Sequence, residues 1–159
     1  MRRIIDQLFA VNLKKVLEAY GHLPAFERAL AKPDPDNVFA VGLDNPPYQK
    51  LHVEVLPPEM NRFNVPAVAV SHTFVQNGDL MRDPEIVFAV KPEGWVPYEC
   101  TQDPLGHYAS AFDADGKFDE KISADMRQLS VVWARNLIGQ GWAGQQADQS
   151  QSRSIKPGL

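Results

Sequence analysis

Hydrophobic residues follow helical spacing at the two ends of the chain. Near the N-terminus they recur at steps of three and four, which predicts an amphipathic helix over residues 3–20 that Gly21 would end. Residues 24–31 allow a short second helix with Pro24 in its first turn. A longer helix is predicted from Ser123, taken as its N-cap, to the glycines at 139 and 141. Its predicted inner face consists of Met126, Leu129, Val132, Trp133, Asn136 and Leu137.

Strand patterns fill the middle of the chain. The candidate strands are residues 38–43, 51–55, 65–76, 80–91, 95–101 and 107–112. The third and fourth of them flank Asn77-Gly78, the strongest short signal for a β-hairpin. The order helix, strands, helix predicts an α+β fold with an antiparallel sheet of four to five strands. We expect the N-terminal and C-terminal helices to pack on one face of this sheet and to leave the other face free.

The distribution of apolar residues also predicts the domain organisation. Residues 1–142 are expected to form a single α+β domain, because this length can bury one hydrophobic core. Residues 143–159 are rich in Gln and Ser and offer almost nothing to bury, so they predict a disordered tail.

Charge and composition narrow the classes of partner and cofactor. The formal net charge of −4 disfavours nucleic-acid binding over a broad surface. Charged residues interrupt the apolar run that follows Arg2 and Arg3, and no stretch is long enough for a membrane span, so a cytoplasmic protein is expected. Cys100 is the only cysteine, which excludes an internal disulfide. No glycine loop for phosphate and no catalytic signature is present, so we expect no cofactor.

The predicted hairpin carries the candidate chemistry. A two-residue turn places His72 opposite Asp83 and Val70 opposite Glu85 on one face, which brings an imidazole beside two carboxylates. Pro84 has no N–H and indicates an edge strand or a bulge, beyond which the register could slip. The other face of the hairpin is predicted to be apolar and to receive a helix. Its predicted pairs are Val75 with Leu80, Ala69 with Ile86, Ala67 with Phe88 and Val65 with Val90.

His72, Asp83 and Glu85 are the candidate catalytic and metal-binding residues. Carboxylates raise the basicity of an imidazole, and these three side chains together could coordinate a divalent ion. The simpler interpretation is an exposed cross-strand pair that contributes little to stability, and this interpretation is favoured.

Four further residues are candidates for binding. Gln76 and Asp79 lie on the predicted face of His72, and His107 could join that face from a later strand. Trp95 follows Gly94 at the start of a predicted strand, where a large ring often covers the end of a sheet. If exposed, the same ring would anchor a partner.

The hairpin and the segments after it resemble a known family. Residues 71–85 read Ser-His-Thr-Phe-Val-Gln-Asn-Gly-Asp-Leu-Met-Arg-Asp-Pro-Glu, and Trp95-Val96-Pro97 and a closing Gly106-His107-Tyr108 follow. This pattern, within residues 50–112, resembles an uncharacterised bacterial family whose members are encoded largely on plasmids, integrative elements and phages. Thr73 departs from it, since relatives often carry an aromatic residue there. The resemblance implies a mobile-element setting and supplies neither an activity nor catalytic residues.

We expect a non-enzymatic binding or accessory protein of a mobile genetic element that contacts another protein. This expectation rests on the missing catalytic signatures, the acidic charge and the free sheet face. The alternative is a metal-dependent or acid–base enzyme, centred on His72, Asp83 and Glu85, that acts on a nucleotide or nucleic acid. A third alternative is a structural subunit that forms a homodimer through a sheet edge.

Overall fold

A computed structural model describes residues 7–144 as three α-helices and a six-stranded antiparallel sheet. The helices are α1 (Leu8–Ala19), α2 (Leu23–Ala31) and α3 (Glu120–Gly139). The strands are β1 (Ala40–Leu43), β2 (Lys50–Leu56), β3 (Ala67–Gln76), β4 (Asp79–Lys91), β5 (Gly94–Gln102) and β6 (His107–Ser110). The predicted α+β class is confirmed. The sheet has six strands instead of the predicted four to five, because the runs at both edges pair as short strands.

Each strand pairs with its neighbours in the sequence, so the sheet is an antiparallel meander in the order β1-β2-β3-β4-β5-β6. The predicted helical residues 3–6 and the predicted tail from residue 145 onward lie outside the described residues. Ala143, which the sequence assigned to the tail, packs against the core.

Glycines end α1 and α3 as the sequence predicts. Gly21 and Gly141 adopt positive φ angles of +81° and +83°, which a side chain would disfavour. Beyond Gly141 the chain turns back, and the amide of Trp142 donates to the carbonyl of Leu137 at 3.0 Å. This reversal buries the Trp142 ring completely against the end of α3.

The predicted start of α3 at Ser123 is wrong. The N-cap is Asp119, whose carboxylate accepts from the amides of Lys121 and Ile122. A helix that begins one turn earlier places Ser123 on the buried side, where its hydroxyl donates to the carbonyl of Pro97 at 2.7 Å. The inner face of α3 also differs from the prediction, because Val132 and Asn136 are exposed while Ser130 and Ala134 are buried.

The β3–β4 hairpin has the predicted turn and then changes register. Asn77 and Gly78 have φ angles of +53° and +84°, as a type I′ turn requires. From the turn to the pair Thr73–Arg82 the register is the predicted one. A bulge follows, in which Asp83 and Pro84 together lie opposite one residue of β3. The predicted pairs beyond it are wrong by one residue: Val70 lies opposite Ile86, Ala69 opposite Val87, Val68 opposite Phe88 and Ala67 opposite Ala89.

The bulge decides which hairpin residues face the helices. The predicted bulge at Pro84 is confirmed, although β4 is an interior strand and not an edge. The predicted apolar face is therefore split: Ile86 and Phe88 pack under the helices, whereas Ala67 and Ala69 face away from them. The core between sheet and helices includes Leu13, Val16, Leu17, Val53, Val70, Ile86, Phe88, Trp133 and Leu137.

The face turned away from the helices, called the second face here, is free only in part. A smaller cluster covers one end of it, where side chains from the segments after β2 and β6 fold over the strands. This cluster contains Ala67, Ala69, Val87, Ala89, Tyr98 and Ala111, with Phe63, Phe112 and Phe118 packed against them. The expectation of an entirely free second face is therefore wrong, and the open part lies toward the β3–β4 turn.

We predict that Gly78→Val lowers the free energy of unfolding by about 1–3 kcal/mol. A Cβ atom at Gly78 would meet no atom within 4 Å, so the cost arises from the backbone angle and not from crowding. Gly78→Asn is the matched control, since Asn tolerates positive φ and should retain most of the stability. Chemical denaturation measures all three proteins, and equal midpoints for Gly78→Val and the wild type would contradict the type I′ turn.

Candidate functional site

The three residues of the predicted catalytic cluster do not converge on one site. His72 lies opposite Leu51 of β2 and points toward the helices, where its ring contacts Trp133 and Trp142. Glu85 lies opposite Ser71 and belongs to the second face. Asp83 sits in the bulge near His72. Among residues 7–144, no group of three or more His, Cys, Asp or Glu side chains is arranged to hold a metal ion.

His72 is held by aromatic rings and a backbone carbonyl. Its ring centroid lies 5.4 Å from that of Trp133 and 5.6 Å from that of Trp142. Its Nδ1 atom lies 3.1 Å from the carbonyl oxygen of Gln49, which can only accept, so Nδ1 carries the proton of the neutral ring. His72 itself lines a shallow cleft of about 300 Å³ together with Pro47, Tyr48, Gln49 and Gln140.

Burial lowers the pKa of His72 below its ordinary value of 6.5. The backbone carbonyls of Gln49 and Lys50 and the charge of Asp83 act in the opposite direction without reversing the shift. The neutral ring is therefore the form that the fold favours near pH 7. The contacts of the ring with two indole groups suit a structural role.

Polar residues form a continuous row across the open part of the second face. Strand register places one residue from each of β2 to β6 side by side: His52, Ser71, Glu85, Thr101 and Tyr108. The adjacent row places Ala69 and Val87 between Glu54 and Glu99. We call Glu54, Glu85 and Glu99 the glutamate trio.

Glu85 lies at the centre of this surface, in an environment that disfavours its negative charge. Burial is the largest cause of its raised pKa, and the charges of Glu99 and Glu54 raise it further. Arg82 opposes the shift through an ion pair of 3.1 Å. The guanidinium group of Arg82 also donates from Nε to Asp103 at 3.2 Å, so this cation is shared between two carboxylates.

Two hydroxyl groups flank Glu85 on the floor of the second face. Ser71 is 5% exposed and Thr101 is 7% exposed. Neither hydroxyl oxygen is a fully buried polar atom without a partner; among residues 7–144 the two such side-chain atoms are Nε2 of Gln7 and Nε1 of Trp133. Further along the row, the hydroxyl of Tyr108 hydrogen bonds with Glu99 and Ser110, and burial and the charge of Glu99 raise the pKa of this phenol.

The tip of the β3–β4 hairpin adds an exposed apolar pair to the second face. Val75 is 71% exposed and Leu80 is 66% exposed, and the two lie directly opposite each other. The alternation of β3 puts Val75 on the same face as Ser71 and Thr73. The predicted binding residues Gln76 and Asp79 are exposed beside this pair, at the turn itself.

The other predicted binding residues lie apart from the glutamate trio. Trp95 is buried in the core against Phe26 and Phe88 and offers no exposed anchor. His107 is exposed on the edge strand β6, opposite Gln102, and belongs to the alternate row that faces the helix side.

Sequence reasoning missed Ser71, Glu99 and Thr101 as site residues. Pro84 was a usable signal for Ser71, since a shift of one residue at Pro84 places Ser71 opposite Glu85. Glu99 and Thr101 flank the apolar Cys100 in β5, an ordinary alternation of residue types that does not mark a site.

Comparison with known proteins identifies a family for this chain but indicates no activity. A family model described as a domain of unknown function, DUF6908, matches residues 15–143. No curated protein and no solved structure matches the chain. Within residues 7–144, none of the helices has the length and apolar character that a membrane span requires.

We predict that His72 contributes stability that is present at pH 7.5 and is lost as the pH is lowered to 5. In the unfolded chain His72 takes up a proton near pH 6.5, whereas burial delays protonation in the fold, so stability is present above that pH and is lost below it. His72→Gln should flatten the dependence of the unfolding free energy on pH. Urea denaturation at a series of pH values between 7.5 and 5 measures this dependence.

His107→Gln is the control, because it removes an imidazole from an exposed edge position. A profile for His72→Gln as steep as that of the wild type and the control would contradict the burial of His72.

Proposed function

The chain belongs to the DUF6908 family, and on that premise we propose that it is a non-enzymatic binding module that contacts another protein through the open part of its second face. The observation that carries the proposal is the exposed cross-strand pair of Val75 and Leu80 beside the glutamate trio. Single exposed apolar residues are common on protein surfaces. Two that oppose each other at a projecting hairpin and adjoin a charged surface have the composition of a protein interface, with an apolar centre and a polar rim.

The setting that we propose is a cytoplasmic protein of a bacterial mobile genetic element, with a host or element-encoded protein as its partner. The resemblance of residues 71–108 to a family encoded on mobile elements supports the mobile-element setting. The composition, which is that of an ordinary globular protein, supports the cytoplasmic location. The acidic second face favours a partner with basic groups over one that exposes phosphates.

The enzymatic alternative has less support. A catalytic group at His72 would need its carboxylate partners on the same side of the sheet, yet Glu85 lies on the opposite side. The ring of His72 is also held between the indole groups of Trp133 and Trp142, and its Nδ1 atom is occupied by the carbonyl oxygen of Gln49. A homodimer through the short edge strands β1 and β6 remains an alternative, and light scattering of the purified chain tests it.

We predict that Val75→Glu/Leu80→Glu abolishes partner binding without unfolding the protein. Both side chains are exposed, so the substitutions remove apolar contact area and add charge only where a partner would sit. The tagged chain is expressed in its native host, and co-purifying proteins are identified by mass spectrometry.

Val132→Glu is the matched control, because Val132 is 55% exposed on α3, on the other side of the molecule. A protein that is retained by the wild type and the control but lost from the double variant supports the proposal. Equal recovery with all three, or recovery of no specific protein with any, contradicts it. Circular dichroism confirms that each variant is folded.

A further inference from the structure

We propose that the edge strand β1 and the helix α2 together bind an extended segment of another protein that carries an acidic side chain. This segment adds to the sheet as a further strand and places alternate side chains in the groove between β1 and α2. The site lies at the edge of the sheet and not on the second face, so it goes beyond the proposed function and does not rest on it.

The first argument is the open hydrogen-bonding edge of β1. Among residues 7–144, β1 pairs with β2 alone. The carbonyl of Phe39, directly before β1, accepts from the amide of Val55 at 3.0 Å, and bonding positions alternate along an antiparallel ladder. Ala40 and Gly42 therefore direct their N–H and C=O groups away from β2, where an added strand can pair with them.

The sequence of this edge gives it none of the usual protection against pairing. Natural edge strands commonly carry charged residues, prolines or bulges that keep other strands away. Residues 38–43 read Val-Phe-Ala-Val-Gly-Leu, and the pairing of β1 with β2 is continuous from Ala40 to Leu43. Val38 and Ala40 are exposed, so the outer side of the edge is accessible. An apolar and uninterrupted edge of this kind is suited to recognition by strand addition.

The second argument is the groove beside this edge, which has a volume of about 670 Å³ and lies between α2 and β1. Phe39 and Val41 line it from the sheet, and both are half-buried against the core on the helix side. Ala25 and Ala29 line it from α2, four residues apart on one face of the helix. Their short side chains leave space that alternate side chains of an added strand can fill.

The third argument is the charge of the groove. Arg28 and Lys32 line it, both are exposed, and neither forms an ion pair with another residue of the range 7–144. Asp34 is the only acidic residue among the described residues of the lining, which therefore keeps a net positive charge. The whole chain has a formal net charge of −4, so this groove is a local exception. A carboxylate on the bound segment is the group that complements it.

The probe for this site is a synthetic, acetylated and amidated peptide in which valine, valine and glutamate occupy alternate positions between threonines. Its binding to the ¹⁵N-labelled chain is followed by NMR. We expect shifts concentrated in residues 25–32 and 38–43, with slower hydrogen exchange at the amides of Ala40 and Gly42. Absence of shifts there at millimolar peptide would overturn the inference, and so would equal shifts with a peptide that has lysine in place of glutamate.

Backbone methylation of the probe tests strand addition directly. The N–H groups of a strand alternate in direction, so only every second one can pair with β1. One peptide is N-methylated at its valines and glutamate, and another at its internal threonines. We expect one of the two to lose binding and the other to retain it. Equal effects on both peptides would show that the probe does not bind as a strand and would overturn the inference.

A proline in β1 removes a donor from the open edge. Ala40→Pro deletes an outward N–H and leaves the bonds to β2 in place, so it should abolish probe binding. Ala40→Thr is the matched control, because it retains the amide and favours a strand. Undiminished binding by a folded Ala40→Pro protein would overturn the inference. Circular dichroism checks the fold, and if Ala40→Pro does not fold, the methylated probes and the charge variants still decide.

The charge variants test the acidic preference. Arg28→Gln/Lys32→Gln should raise the Kd of the probe about fivefold, as expected for the loss of exposed ion pairs. Lys121→Gln/Arg135→Gln is the matched control, since it removes two exposed cations from α3 and should leave the Kd unchanged. Equal Kd values for both double variants would overturn the acidic preference and with it the inference.

Two further measurements separate this site from other surfaces. Val75→Glu/Leu80→Glu should bind the probe as the wild type does, because β3 lies two strands away from β1. Loss of binding in this variant would place the probe at the hairpin tip and overturn the inference. Slow exchange at Ala40 and Gly42 before the probe is added would show that a second copy or another part of the chain already covers the edge, which would also overturn it.

Discussion

The bulge at Asp83 and Pro84 is the constraint on which the two faces of the sheet depend. Proline has no amide to donate to a ladder hydrogen bond, and the interior strand β4 accommodates it by inserting one extra residue. Successive side chains of a strand alternate between the two faces of the sheet. The extra residue therefore turns the β4 side chains beyond the bulge to the face opposite to the one that an uninterrupted hairpin would give them. The bulge thereby pairs Ser71 with Glu85 and puts Glu85 on the face opposite to that of His72, which the alternation of β3 directs toward the helices.

The two faces then acquire different physical character. On the helix side, α1 and α3 close an apolar core in which His72 is packed as a neutral ring between tryptophans. On the second face, aromatic residues cover one end, while polar and acidic residues remain open toward the hairpin tip. Most of the buried apolar side chains lie on the first side, and the crowded carboxylate of Glu85 lies on the second. That separation is the physical basis for assigning binding to the second face.

Much of the fold follows from local sequence signals. Asn77-Gly78 predicts its turn, Gly21 and Gly141 end their helices, and alternation locates the strands, because each of these depends on backbone preferences of a few neighbouring residues. The start of α3 was misplaced because Asp119 and Ser123 are both good N-caps, and only the contact of Ser123 with β5 decides between them. The candidate site was misassigned for a related reason. Pro84 predicts a bulge, but the direction of the register change depends on how β3 and β5 pair with it.

The most direct test of this account is the pairing of β3 with β4 in solution, measured by nuclear Overhauser effects. We predict cross-strand contacts of Ser71 with Glu85 and of Ala69 with Val87, together with contacts between the His72 ring and the indole rings of Trp133 and Trp142. Contacts of Val70 with Glu85 and of Ala69 with Ile86 would instead show an uninterrupted register. That result would return His72 and Glu85 to one face and contradict the account.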